Sequence, residues 1–250
     1  MSRLTQLHKN PKHEQAENTP YILRLRFKNP ASLPSKVDCI LLSEQYVALY
    51  AAMAQRLSLI EVSSASSFLN LFRGTPPWIG RAQVLQDDIN EMIGHLSSTE
   101  RDALSRARKL YPATKAMISD IENADAVRLF AWYAVRYLGD VFGGQALNAY
   151  TQRTFASTPL QGNFYGQVST FTQTLSIHVN QAYLFVEEDK RFLDAADSIF
   201  QYHIDLFNEM ECDRPVIVER PSVLKNRYVL FGLSAIVVGA AYMALTEPSR

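Results

Sequence analysis

Apolar residues recur at helical spacing along most of this chain. Between residues 37 and 60, Ile40, Leu41, Tyr46, Val47, Leu49, Tyr50, Met53, Ala54 and Leu57 form a broad stripe, which predicts a long core-facing helix. A second stripe between 189 and 210 runs through Phe192, Ala195, Ala196, Ile199, His203, Leu206, Phe207 and Met210. His203 within it reads as a satisfied core histidine. Shorter helical patterns occupy 81–93, 102–110, 112–121 and 168–185, with Ser97 or Ser98 placed to cap one of them and Glu100 near its start. Residues 4–26 begin the fold, and Pro11 either interrupts a helix there or starts one. Polar and proline-marked breaks fall at 29–34, 63–67, 74–77, 123–125 and 157–166. No alternating strand pattern appears, so the expected class is all-α.

One helical segment breaks the usual preference. Leu129, Phe130, Trp132, Tyr133 and Val135 lead into Arg136-Tyr137-Leu138-Gly139-Asp140-Val141-Phe142-Gly143-Gly144-Gln145, and Ala146, Leu147 and Ala149 continue it. Each interior glycine costs a helix about 1 kcal/mol relative to alanine. Gly139 and Gly143 share a face, with Asp140 and Gly144 in the next row. The result is a bare strip edged by a carboxylate, and Arg136 stands four residues before Asp140, where it can pair with it. Such a strip serves close approach of a ligand, a tight helix crossing, or a kink. Near the N-terminus, His13 and Glu17 are also four apart. That spacing suits a metal-ligating imidazole oriented by a carboxylate, and equally an ordinary solvated face.

Composition narrows the field. The chain has 250 residues, 47% of them hydrophobic, enough for one large helical domain with or without an appendage. Lys plus Arg equal Asp plus Glu at 25 each, which argues against bulk nucleic-acid binding. Two cysteines, Cys39 and Cys212, make neither a disulfide framework nor a zinc site. With so few cysteines a reducing compartment is the expectation, and because no apolar run of signal-peptide type opens the chain, secretion is not expected.

The C-terminal part reads differently. Residues 214–227 form an expected linker with Pro215 and Pro221, and 228–245 carry no charge. At about 1.5 Å per residue that stretch reaches roughly 27 Å, close to the ~30 Å of a bilayer core. Tyr228 and Tyr242 lie near its ends, and Lys225 and Arg227 precede it, a pattern that keeps the main domain cytoplasmic. The same stretch also suits a soluble helix buried against the domain or a partner. The organisation expected is a helical domain over 1–213, the linker, a membrane-tethering helix over 228–245 and a short polar end over 246–250.

Taken together, Tyr137-Leu138-Gly139-Asp140 with Gly143-Gly144-Gln145, and His13-Glu14-Gln15-Ala16-Glu17-Asn18, resemble the distal and proximal segments of the heme oxygenase family. The resemblance extends through 112–117 and through 192–209, covering about 4–211. It implies a helical fold with heme sandwiched between a proximal and a distal helix. It makes His13 the proximal iron ligand, with Glu17 orienting its imidazole. Arg136, Gly139, Gly143 and Gly144 join them in the heme-binding set, the glycines leaving room for dioxygen. Asp140 becomes the catalytic residue, organising the water that delivers protons. The implied activity is cleavage of heme, both substrate and cofactor, to biliverdin, carbon monoxide and ferrous iron. Dioxygen is the co-substrate, and electrons come from an external reductase or ferredoxin. A C-terminal membrane tether also resembles some members.

Against the family pattern, the basic positions that hold the heme propionates fall on Gln6, Thr172 and Ser176, a distal-helix tyrosine falls on Ala134, and Phe142 replaces a small polar residue. Lys9, Lys12 and His178 are the candidate substitutes for the lost charges. These departures motivate a second reading, a non-catalytic heme carrier or sensor on the same scaffold. A third is a related scaffold holding a non-heme metal at His13, Glu14 and Glu17.

Overall fold

The computed structural model describes residues 2–26, 35–61, 64–73, 80–142, 144–155, 172–182 and 186–214. Among these residues there are helices and no strands. Met1–Pro215 form one compact unit. The expected linker beyond Arg214 and the 228–245 stretch lie outside the described residues.

The chain begins with three short helices, α1 (Arg3–His8), α2 (Pro11–Glu17) and α3 (Pro20–Arg26). Pro11 starts α2 rather than interrupting a longer helix. Its missing N–H is harmless at the first helical position, and the Asn10 side chain caps the Lys12 N–H. The long helix α4 (Lys36–Leu59) follows. It opens on a reciprocal cap in which Asp38 N–H donates to Ser35 Oγ at 3.2 Å and Ser35 N–H donates to Asp38 Oδ2 at 2.6 Å. By length and composition α4 could cross a membrane, but 67% of its most apolar window is buried within the protein, as in the core helix of a globular fold.

A 3₁₀ segment, Ser64–Arg73, places Phe68, Leu69 and Phe72 in the core. Then come α5 (Arg81–Gly94), α6 (Ser98–Ala107), α7 (Pro112–Glu122), α8 (Ala126–Phe142) and α9 (Gly144–Thr154). The helix expected over 102–110 starts earlier, at the Ser97–Glu100 capping box, and stops at Ala107. The reason lies in a buried amide. Gln45 Nε2 donates to the carbonyls of Leu41 and Lys109, while its Oε1 accepts from Tyr111 N–H and Thr114 Oγ1. Backbone groups released from α6 are thus satisfied by α4, and the connection need not stay helical.

The last described helices are α10 (Thr172–Gln181) and α11 (Val186–Cys212). The pattern over 168–185 is observed as helix only for Thr172–Gln181; residues 168–171 and 183–185 lie outside the described set. α11 packs against α2, α3, α7 and α8. Its Glu209 carboxylate accepts from Ala113 N–H at 3.0 and 3.2 Å, capping α7 where Tyr111 offers no side-chain cap. α11 is therefore the common support for the histidine-bearing helix α2 and the glycine-bearing helix α8.

Candidate functional site

His13 projects from α2 with its side chain 24% exposed. Its ring meets Phe200 of α11 edge-on, at 5.3 Å between centroids, and His8 lies at the same distance on another side. Glu17 stands one turn further on, with Oε1 3.8 Å from His13 Nε2, an ion-pair separation rather than a hydrogen bond. The helix is fixed from α11. Asp197 accepts from Lys12 Nζ at 2.7 Å and from Asn10 Nδ2 at 3.4 Å. α1 is fixed by Arg3, which bonds Asp189 and the carbonyls of Val179 and Ala182. A partly exposed imidazole on a short, tightly held helix is suited to ligating a metal from one side.

The distal segment is split by burial. Gly139 is exposed, whereas Asp140, the next residue, is 2% exposed. Among the described residues, a Cβ built on Gly139 would meet only Arg136 Nη1, at 3.8 Å, an ordinary contact. Among the described residues no other helix comes within 4 Å of that Cβ, so none of them forms a tight crossing at this position. Of the remaining glycines, 143 lies outside the described residues, and Gly144 begins α9.

Asp140 faces the interior and accepts from three donors. Arg136 Nη2, one turn back on α8, is 2.8 Å from Oδ1. Arg81 Nη2, from the first turn of α5, is 3.2 Å from Oδ2. The Tyr50 hydroxyl, from α4, donates to Oδ2 as well. Burial, and then the Asp140 charge, push the Tyr50 phenol well above its ordinary range, so it remains a protonated donor. Arg136 is 5% exposed and lies 3.9 Å over the Tyr46 ring. Burial alone would lower its guanidinium, but Tyr50 and Asp140 outweigh that and raise it.

Behind Arg136 stands His203 of α11, with Nε2 3.2 Å from Arg136 Nη1 and Nδ1 2.8 Å from the Ile199 carbonyl. Nδ1–H donates to the carbonyl, so Nε2 is left to accept from the guanidinium. The expectation of a satisfied core histidine holds, with Arg136 as the partner. Burial first, and then the Arg136 charge, lower His203 from 6.5 to about 3. The folded protein keeps this imidazole neutral while the unfolded chain takes up a proton below about 6.5. Its contribution to stability is complete above that pH and is lost as pH falls toward 3, at up to about 1.4 kcal/mol per pH unit. His203→Gln is therefore expected to flatten the acid limb of stability between pH 6 and 4 in urea melts, measured as ~1 kcal/mol per pH unit less loss than in the parent.

Of the residues singled out by sequence, His13 and Glu17 share α2, and Arg136, Gly139 and Asp140 share α8, with Arg136 and Asp140 in direct contact. Tyr50, Arg81, Tyr46 and His203 around them were not anticipated as site residues. Two candidate substitutes for propionate cations are engaged elsewhere. Lys12 pairs with Asp197, and His178 bonds the Phe68 carbonyl at 2.5 Å amid the Phe72 and Phe130 rings.

Fold and site together define a class: an all-helical protein whose accessible imidazole and exposed glycine sit on separate helices carried by one long helix. The family follows from the sequence as a whole. A model described as Heme oxygenase matches residues 5–209, and the chain belongs to the heme oxygenase family. Heme oxygenase 2 of Macaca fascicularis is 25% identical over 206 residues, covering 80% of this chain and 61% of the relative, so the chain spans less than two thirds of that relative's length. Heme oxygenase-1 from the cyanobacterium Synechocystis sp., solved in complex with heme, is similar in fold with a TM-score of 0.65 at 20% identity, over 94% of this chain and 100% of the other. Heme oxygenase from Leptospira interrogans gives a TM-score of 0.63 at 21% identity, over 84% of this chain and 100% of the other.

Proposed function

We propose that this protein is a heme-degrading oxygenase, converting heme to biliverdin, carbon monoxide and ferrous iron with dioxygen and electrons from a separate reductase. The observation that carries the proposal is the contrast within two adjacent residues of α8. Gly139 offers exposed backbone against which, among the described residues, only the Arg136 side chain comes within 4 Å of an added Cβ, and Asp140 beside it is held in place by three donors. A flat macrocycle fits against backbone that carries no side chain, and the partly exposed His13 imidazole is the right kind of donor for its iron. The residues present therefore fit heme. His13 would bind its iron, Glu17 would orient the imidazole, and Gly139 with Gly143 and Gly144 would leave space on the distal side.

Bound heme supplies the iron that activates dioxygen, and is itself the carbon skeleton that is cut. The chain's own part is positional. Asp140, with one oxygen occupied by Arg136 and the other by Tyr50 and Arg81, retains acceptor capacity for ordered water and can hold that water where protons are needed. Low exposure keeps these contacts short of competing solvent.

Gly139→Ala separates a ligand-facing role from a structural one. With only one atom of the described residues within 4 Å of the new Cβ, the heme-free protein should gain up to about 1 kcal/mol from helix propensity. Its turnover should fall. Loss of stability in thermal melts, or unchanged turnover, would return Gly139 to a packing role.

The carrier reading keeps one specific support: Gln6, Thr172 and Ser176 lack charge, and Lys12 is committed to Asp197. Hemin titration with product chromatography decides between the two, since a carrier binds heme and releases no biliverdin when supplied with electrons.

A further inference from the structure

The Asp140 carboxylate is held by two arginines of different origin. Arg136 is on the same helix, four residues back, and is itself tied to α4 through the Tyr46 ring and to α11 through His203. Donors that reach Asp140 directly from other helices are, among the described residues, Tyr50 of α4 and Arg81 of α5. Arg81 is the cationic one. Its side chain and that of Asp140 are each 2% exposed. The guanidinium lies 5.8 Å from the Tyr50 ring centre and 5.6 Å from that of Tyr137, which limits where the fork can point. The preceding residue, Gly80, has φ 71°, a left-handed conformation that side-chain-bearing residues rarely adopt. It starts α5 without a side-chain cap and leaves Arg81, its first residue, buried.

Stability alone is a weak reason for such a residue. Burying a guanidinium has a large desolvation cost, and apolar side chains of similar volume usually serve a core as well or better. What an arginine adds is a directional bond to one carboxylate oxygen. We infer that Arg81 is a positioning residue that locks the Asp140 carboxylate from α5, so that the water held by Asp140 stays in register with the substrate. The inference rests on the heme-oxygenase reading for its catalytic consequence, but the lock itself is a property of the heme-free protein.

The test is a cycle of Arg81→Met and Asp140→Asn, with Arg81→Lys as the conservative variant. In the heme-free parent, Arg81→Met should lower the unfolding midpoint. In the Asp140→Asn background it should raise it, because Arg81 and Arg136 then face each other without a shared anion. A packing role predicts the same loss in both backgrounds and would overturn the inference. With hemin bound, Arg81→Met should keep affinity and lose roughly a hundredfold in turnover, the scale of a misplaced catalytic group. The loss should vanish in the Asp140→Asn background, and Arg81→Lys should recover part of it. Parent-like turnover in Arg81→Met would also overturn the inference. If the parent itself makes no biliverdin, the proposed activity fails, while the opposite signs in the two heme-free backgrounds still establish the lock.

Discussion

Asp140→Asn should be the most damaging single change in the protein. It leaves Arg81 and Arg136, both buried, without the anion they share. Removing one partner from a buried ion pair typically costs about 3–5 kcal/mol, because the other charge remains and stays desolvated. For a chain of this size that corresponds to a fall of roughly 10 °C in melting temperature. The asparagine amide also presents N–H groups toward donors, so at least one former acceptor position is lost. Biliverdin formation should fall by about 10²–10⁴-fold, the usual worth of a positioned proton-handling group. A variant melting within about 2 °C of the parent would show that the triple-donor cage carries little stability. Undiminished product formation would remove Asp140 from the mechanism.

His13→Ala should behave in the opposite way. The side chain is a quarter exposed, and its contacts include the Phe200 and His8 rings and the Glu17 carboxylate. Truncating it should change heme-free stability by no more than about 0.5–1 kcal/mol, as for other partly exposed positions. Its effect belongs to heme. Loss of an orienting neighbour at a metal site usually weakens binding by about 10–100-fold, and loss of the ligand itself should exceed that. The hemin complex should lose the parent's Soret maximum, and added imidazole should restore the spectrum by occupying the space the side chain left. A variant spectrum identical to the parent's, without imidazole, would show that another residue binds the iron.

These two expectations draw on different parts of the molecule, and the sequence reveals them unequally. The long helices are legible because broad apolar stripes and marked caps define them. The stripe over 37–60 is the helix Lys36–Leu59, and the pattern over 81–93 is Arg81–Gly94. The 189–210 stripe belongs to Val186–Cys212, which starts earlier on Glu187, Glu188 and Asp189, acidic residues suited to a helix N-terminus. The end of α6 is not legible, because it depends on the Gln45 amide arriving from α4.

The site divides along the same line. His13 with Glu17, and Arg136 with Asp140, are one-turn relationships, visible as spacing of four. Tyr50 sits in the apolar stripe of α4 and gives no sign of the Asp140 carboxylate until α8 is packed beside it. Arg81 reads as an ordinary helix start, and His203 as core filling. The available signal was chemical rather than periodic. A tyrosine, an arginine and a histidine on core faces each need a polar partner once buried, and a lone aspartate in a glycine-rich segment is a natural common one.

The central claim is that this chain binds heme through His13 and cuts it. The most direct measurement is titration of the purified full chain with hemin, followed by addition of a reductant and chromatography of the pigment. The expected result is saturable formation of a Soret band that depends on His13, and then its conversion to biliverdin. Saturable binding with heme recovered intact after sustained reduction would contradict the claim and identify a carrier; no saturable binding would remove heme from the account altogether.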